Sequence, residues 1–349
     1  MTMTRKELIF AFSQLGKLLE QVGLNQNYSD NNCGLNATEY EQFLGVVESA
    51  RHHNQWFTPE NVRMAFRGIA SWLNEEKLEY WLKDTPFSQK PKRVGIIMAG
   101  NIPLVGFHDF LAVVMTGNIA ICKLSSDDTY LWKALFSIFS TIEPNIQEYY
   151  EVSVGKLGEI DAIIATGSDN SSRYFEYYFG KHPHIIRKNR TSVAILNGSE
   201  SLEDIHKLAD DIFSFYGLGC RNISQLFVPE SFEINRFFEG LMEYKEIINH
   251  NKYANNFDYQ RAISLLNKED VLENGFVLLK FSDALFSPLS IINCYRYSNE
   301  LEVSEYLENN KDKIQVVVGK DYLPFGTSQQ PDLDDYADGV NTLDFLVKI

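Results

Sequence analysis

At 349 residues the chain is long enough for two domains, each with its own core. An apolar content of 44% is that of a globular protein and excludes a disordered chain. A formal net charge of -15 excludes non-specific nucleic-acid binding, which needs a basic footprint, and means that any anionic ligand must meet locally supplied positive charge.

Residues 4–22 read as an amphipathic helix with Leu8, Phe12, Leu15, Leu18 and Leu19 on one stripe. Arg5, Lys6 and Glu7 interrupt any secretory signal there, so the expected location is the cytoplasm. A polar, turn-rich stretch over 25–36 leads to helices at 38–50 and 59–84, the latter starting at Pro59 after Thr58. His52 and His53 have no third ligand in reach, and no metal site is expected. From Arg93 the texture changes to short apolar runs at 93–99, 119–124, 160–166 and 191–196, alternating with helix-length segments at 104–116, 127–142, 168–179 and 201–216. That alternation predicts a doubly wound α/β layer. A second alternating block has strands near 225–228, 276–281, 290–297 and 313–318, and helices near 231–245, 258–266 and 299–309. The tail is turn-rich and ends in an expected strand over 342–349. The longest apolar stretch, Phe110 to Cys122, is too short to span a bilayer.

Four cysteines lie far apart with no CxxC pair, so neither a disulfide framework nor a zinc site is suggested. Cys220 differs in its setting. An apolar-periodic helix runs into Gly217 and Gly219, then the thiol, then a strand. Glycines let backbone approach a ligand, and a thiol at such a junction is open to substrate. An isolated cysteine is otherwise usually a buried, inert residue.

Gly217-x-Gly-Cys220 followed by Ser224 and Leu226-Phe-Val228 resembles the nucleophile segment of the aldehyde dehydrogenase superfamily. Further segments agree in order: Ala99-Gly-Asn-Ile-Pro-Leu104, Thr116-Gly-Asn-Ile-Ala-Ile-Cys-Lys-Leu-Ser-Ser126, Thr166-Gly-Ser168 and Leu323-Pro-Phe-Gly326. The resemblance covers about 93–326. It implies an aldehyde dehydrogenase-like α/β fold of two doubly wound domains with a helical N-terminal region. The expected division is 1–205 for the helical region and cofactor domain, 206–322 for the domain carrying the cysteine, and 323–349 for a segment returning to the cofactor domain or a subunit interface.

The resemblance also assigns roles. Cys220 becomes the nucleophile, and Asn101 offers its amide with the Cys220 N–H as an oxyanion hole. Lys123, with Ser125 and Ser126 beyond it, reaches the adenosine ribose, and Gly167 and Ser168 start a helix suited to the pyrophosphate. A turn residue, a solvated lysine and an ordinary helix cap remain the plainer readings of Asn101, Lys123 and Ser168. Ser126 stands where NAD-preferring relatives carry Glu, which favours NADPH and leaves NADH possible, since Asp127 and Asp128 follow.

Departures are as informative. Oxidising relatives carry a water-activating Glu before the strand equivalent to 191–196, and Ile186 stands near that position here. An acyl group on Cys220 should then persist until a thiol or hydride arrives. The basic island from His182 to Arg190 offers Arg187, Lys188 and Arg190 to coenzyme A phosphates, with a solvated loop as the alternative. In Asp283-Ala-Leu-Phe-Ser-Pro288, the resemblance makes Phe286 a candidate cofactor contact and puts Ala284 where the family's ribose-binding Glu is expected, so that contact is lost or shifted to Asp283. Within the superfamily the chain is most similar to the fatty acyl-CoA reductases related to the bacterial luminescence reductase. That resemblance implies an acyl-CoA or acyl-carrier substrate reduced to aldehyde, in a homodimer. An aldehyde dehydrogenase and a catalytically silent acyl-binding or scaffold member are the rival readings.

Overall fold

The computed structural model describes residues 3–29 and 33–349, so residues 30–32 of the turn-rich stretch lie outside the described residues. Two compact units emerge, Met1–Lys188 with Asp332–Ile349, and Asn189–Pro331.

The first unit opens with helices that their caps define. Before α1 (Arg5–Gly23) the Thr4 hydroxyl accepts the Glu7 N–H and the Glu7 carboxylate accepts the Thr4 N–H. Asn36 and Glu39 repeat the device at α2 (Ala37–His53). The single helix expected over 59–84 is two, α3 (Pro59–Trp72) and α4 (Glu75–Trp81). The break falls at Asn74, whose Oδ1 accepts the N–H groups of Glu76 and Lys77 and so starts a fresh helix.

There follow β1 (Arg93–Ile97), α5 (Phe107–Met115), β2 (Ile119–Lys123), α6 (Thr129–Ile142), β3 (Tyr150–Val152), β4 (Ala162–Thr166), α7 (Asp169–Phe179) and β5 (His184–Arg187). The five strands pair in parallel in the order β3-β2-β1-β4-β5. Strands β3 and β5 were not foreseen. Both are short, and β5 lies in the basic island, where His184 and Arg187 flank only two apolar residues. The order turns at β1, with β2 on one side and β4 on the other; at such a switch a doubly wound sheet leaves a ligand crevice beyond its carboxyl ends. Aromatic side chains from α1, α5 and α6 fill the core beneath, with Phe12 and Phe139 edge to face at 4.8 Å.

The second unit contains β6 (Thr191–Ile195), α8 (Leu202–Phe213), β7 (Ile223–Pro229), α9 (Ile234–Gly240), α10 (Asn251–Leu266), β8 (Val271–Glu273), β9 (Leu278–Phe281), β10 (Ile291–Tyr297), α11 (Glu300–Asn310) and β11 (Ile314–Gly319). Its sheet runs β11-β6-β7-β10-β9-β8 and is parallel except between β8 and β9. The expected boundary at 205 is corrected to 188/189. Strand β6 pairs with β7 and β11, and alternation of strand and helix along the chain does not reveal which sheet a strand joins.

The last eighteen residues return to the first unit. There α12 (Thr342–Val347) replaces the strand expected over 342–349. A short apolar run suits either state; the Asn341 side chain accepts the Asp344 N–H and decides for helix, which buries Leu343 and Leu346. Among the described residues no helix is long and apolar enough to cross a membrane.

Candidate active site

In the first unit, three strand ends and the loops that follow them carry the residues singled out from sequence. After β1 the Met98 N–H donates to the Lys123 oxygen at 3.1 Å, and the chain then turns through Gly100 and the exposed Asn101. Leu104 adopts a left-handed conformation (φ 57°), and its N–H donates to Asp128 Oδ2 at 2.7 Å. A left-handed leucine is unfavourable unless held, and this buried carboxyl holds it. Burial pushes the Asp128 carboxyl up to about 8, against the pull of the Leu104 N–H.

The loop after β2 lies against that turn. A Cβ on Gly100 would sit 2.5 Å from Ser125 Oγ and 2.7 Å from Ser125 Cβ, so only glycine lets the two backbones approach this closely. Ser125 Oγ accepts the Asp127 N–H, and the Ser125 carbonyl accepts the Thr129 hydroxyl. Lys123, half-buried at the end of β2, donates from Nζ to the Gly155 oxygen at 2.5 Å, and Ser126 is exposed. After β4, a Cβ on Gly167 would lie 2.9 Å from Phe175 and from Ser171, so Gly167 allows α7 to pack onto the strand end. Ser168 is the α7 N-cap, accepting the Ser171 N–H at 3.3 Å. Asn101, Lys123, Ser125, Ser126, Gly167 and Ser168 thus lie along one edge of the sheet, beyond β1, β2 and β4.

The second unit carries the cysteine. Among the four cysteines Cys220 alone is exposed, and Cys33 is half-buried. Burial raises the thiols of Cys122 and Cys294, the latter to about 12, which keeps them protonated and inert. Cys220 follows three successive left-handed residues, Phe215 (φ 52°), Tyr216 (φ 59°) and Gly217 (φ 79°), that carry the chain away from α8. Gly219 to Asn222 then form a β-turn closed by the Asn222 N–H on the Gly219 oxygen at 3.1 Å, with Cys220 in its first central place. Sequence reasoning missed Asn222, Ser192 and Asp211 around this turn. Asn222 was legible as turn chemistry between a thiol and a strand, whereas nothing along the chain marks Ser192 or Asp211. The buried Asp211 carboxylate accepts the N–H groups of Gly326 and Ser328, so the end of α8 anchors the Pro324-Phe-Gly326 segment.

Phe286 is exposed in a segment pinned to the same sheet. Asn293 Nδ2 donates to the oxygens of Ala284 and Phe286, and Ser224 donates to the Leu285 oxygen at 2.7 Å. The basic island is corrected at one position. Arg187 is buried, paired with Asp109 and donating to Thr342 Oγ1, so its charge is spent inside the first unit and is not offered to a ligand. Lys188 is exposed 3.3 Å from Glu176, and Arg190 donates to the Ile314 oxygen in the second unit. His108 is packed among Trp72, Trp81 and Tyr336, with Nε2 2.9 Å from the Leu333 oxygen.

Comparison with known proteins sets these features in a family. The chain is 25% identical over 215 residues to a long-chain acyl-protein thioester reductase of Aliivibrio fischeri, covering 56% of this chain and 44% of the relative. It is 26% identical over 221 residues to long-chain acyl-protein thioester reductase 2 of Photobacterium leiognathi, covering 58% and 44%. The match therefore spans less than half the length of these relatives. Among solved structures, an NADP-dependent enzyme of E. coli superposes with a TM-score of 0.63 at 12% identity, over 91% of this chain and 73% of that one. The indole-3-acetaldehyde dehydrogenase of P. syringae does so with a TM-score of 0.63 at 12% identity, over 90% and 72%. The fold is that of the aldehyde dehydrogenases, two α/β layers with N-terminal helices. With residues 54–318 matched by the profile described as Acyl-CoA reductase (LuxC), the chain belongs to that acyl-CoA reductase family.

Proposed function

We propose that this chain reduces an acyl thioester to an aldehyde, carrying the acyl group on Cys220. The exposed thiol at the β-turn before β7, the single exposed cysteine of the four, is the observation that carries this reading. Relatives named as long-chain acyl-protein thioester reductases support a long acyl chain presented as a thioester, with coenzyme A or a carrier protein as donor.

The Cys220 thiolate attacks the thioester carbon, forming a new C–S bond while the carbonyl pair moves to oxygen. The Cys220 backbone N–H and, by its motif, the Asn101 amide are the proposed donors to that oxyanion. Its collapse restores the carbonyl and breaks the bond to the donor's sulfur, which leaves as thiolate. In place of a water-activating Glu the chain carries Ile185, Ile186, Arg187 and Lys188, so no carboxylate from this stretch turns the acyl-enzyme toward acid.

The edge beyond β1, β2 and β4 fits a dinucleotide. Lys123 and Ser126 suit the ribose, and the N–H groups at the start of α7 suit the pyrophosphate. Of the two aspartates beside Ser126, Asp128 is buried and its raised pKa keeps it neutral, so Asp127 alone sets a negative charge against a 2'-phosphate. This supports NADPH, which when bound supplies the hydride that takes the acyl carbon to the aldehyde level.

Incubation with radiolabelled acyl-CoA in the absence of NADPH tests the reading. The wild type is expected to retain label through gel filtration under denaturing conditions, and Cys220→Ala to retain none. Equal labelling of the variant removes Cys220 from the chemistry, and formation of free acid from aldehyde and NAD would favour the oxidising alternative.

A further inference from the structure

The turn that bears Cys220 is held by a residue no motif singles out. We propose that Asn222 is the positioning residue of the nucleophile turn, aiming the Cys220 N–H as an oxyanion donor. The inference rests on the reading of Cys220 as the acylated residue.

Three consecutive peptide groups are involved. The Asn222 N–H donates to the Gly219 oxygen at 3.1 Å. The Gly219–Cys220 peptide is trans and planar, so its N–H points opposite to its C=O; fixing the oxygen on Asn222 fixes the direction of the Cys220 N–H. The preceding peptide is tied by the same residue, whose side-chain Oδ1 accepts the Gly219 N–H at 2.8 Å. The following peptide is tied by Ser192, whose hydroxyl donates to the Cys220 oxygen at 2.9 Å and accepts the Val316 N–H at 3.1 Å.

The other end of the Asn222 side chain reaches the helix that leads in. Nδ2 donates to the oxygens of Asp211 (3.1 Å), Ile212 (3.2 Å) and Ser214 (2.9 Å), at the end of α8 and the start of the 3-10 turn that follows it. One buried amide therefore grips the chain at Ser214 and again at Gly219, on either side of the left-handed residues 215–217. Strained conformations of this kind persist only where the surroundings over-determine them. Asn222 is the side chain that spans this one.

Two reactions of the same thiol separate aiming from mere presentation. Alkylation by iodoacetamide develops no oxyanion, whereas acylation by a long-chain acyl-CoA does. In the full chain, Asn222→Ala is expected to slow acylation of Cys220 about tenfold or more, the scale on which oxyanion donors act. Alkylation of Cys220, located by peptide mass mapping, should keep its wild-type rate within about threefold, because the thiol itself is untouched. Asn222→Ser, which keeps a short acceptor, is the variant to read if the alanine protein does not fold; its acylation-to-alkylation ratio should fall in the same direction. Equal slowing of both reactions, or no slowing of acylation, overturns the inference while leaving Cys220 the nucleophile. A wild type that is alkylated but never acylated overturns the nucleophile reading and this inference together.

Discussion

Asp128 shows how a single carboxyl shapes this site by being withdrawn from water. Its native pKa is pushed up to about 8 by burial, against an ordinary value of 3.8. Between those values the unfolded chain releases the proton and the native protein keeps it, so stability falls as pH rises across the window and levels off above it. Asp128→Asn retains an oxygen for the Leu104 N–H and has no proton to lose. Its melting temperature is expected to exceed that of the wild type at pH 8, with the gap closing toward pH 4. Parallel curves for the two proteins would show that the carboxyl is not held neutral. Sequence reasoning weighed Asp128 only as a charge beside Ser126; its inward orientation depends on α6 meeting the Leu104 turn, which no local pattern encodes. Cys220 is the opposite case, since flanking glycines and a following strand made its setting readable.

At the scale of elements, the decisive contact is between the turn after β1 and the loop after β2. Gly100 has no Cβ, and Ser125 occupies the space a Cβ would need. Gly100→Ala is expected to destabilise the protein by about 1–3 kcal/mol, as overpacking does. Displacement of the Ser125 and Ser126 loop should also weaken binding of the proposed cofactor, NADPH, measured by quenching of intrinsic fluorescence. A variant with wild-type stability and binding would show that the two loops yield freely. Helix α1 was legible from its apolar stripe, and strands β1, β2 and β4 from short apolar runs between helix-length segments. The break at Asn74, the strand β5 and the helical state of 342–347 were not, because caps or pairing partners overrode a short apolar pattern.

At the scale of the whole molecule, the first unit is closed by contacts among residues far apart in the chain. Arg187 at the end of β5, Asp109 on α5 and Thr342 at the start of α12 meet in its interior. Both charges are almost fully buried, with 7% and 6% of their side chains exposed, so removing one partner strands the other. Arg187→Met is expected to destabilise the protein by about 3–5 kcal/mol, read from the midpoint of urea unfolding. Adding Asp109→Leu should recover much of that loss, because an apolar pair needs no compensation. A single variant as stable as the wild type would mean that water reaches Asp109.

The amino-acid order by itself determined the class of fold, the alternation of elements and the open setting of Cys220, since periodicity, glycine placement and turn chemistry act over a few residues. Tertiary structure decided which sheet β6 joins, that Arg187 is a core ion rather than a surface cation, and that the Asn222 side chain bonds both to Gly219 beside Cys220 and to the end of α8. Those outcomes rest on strand pairing, desolvation and hydrogen bonds between segments that the chain brings together only on folding.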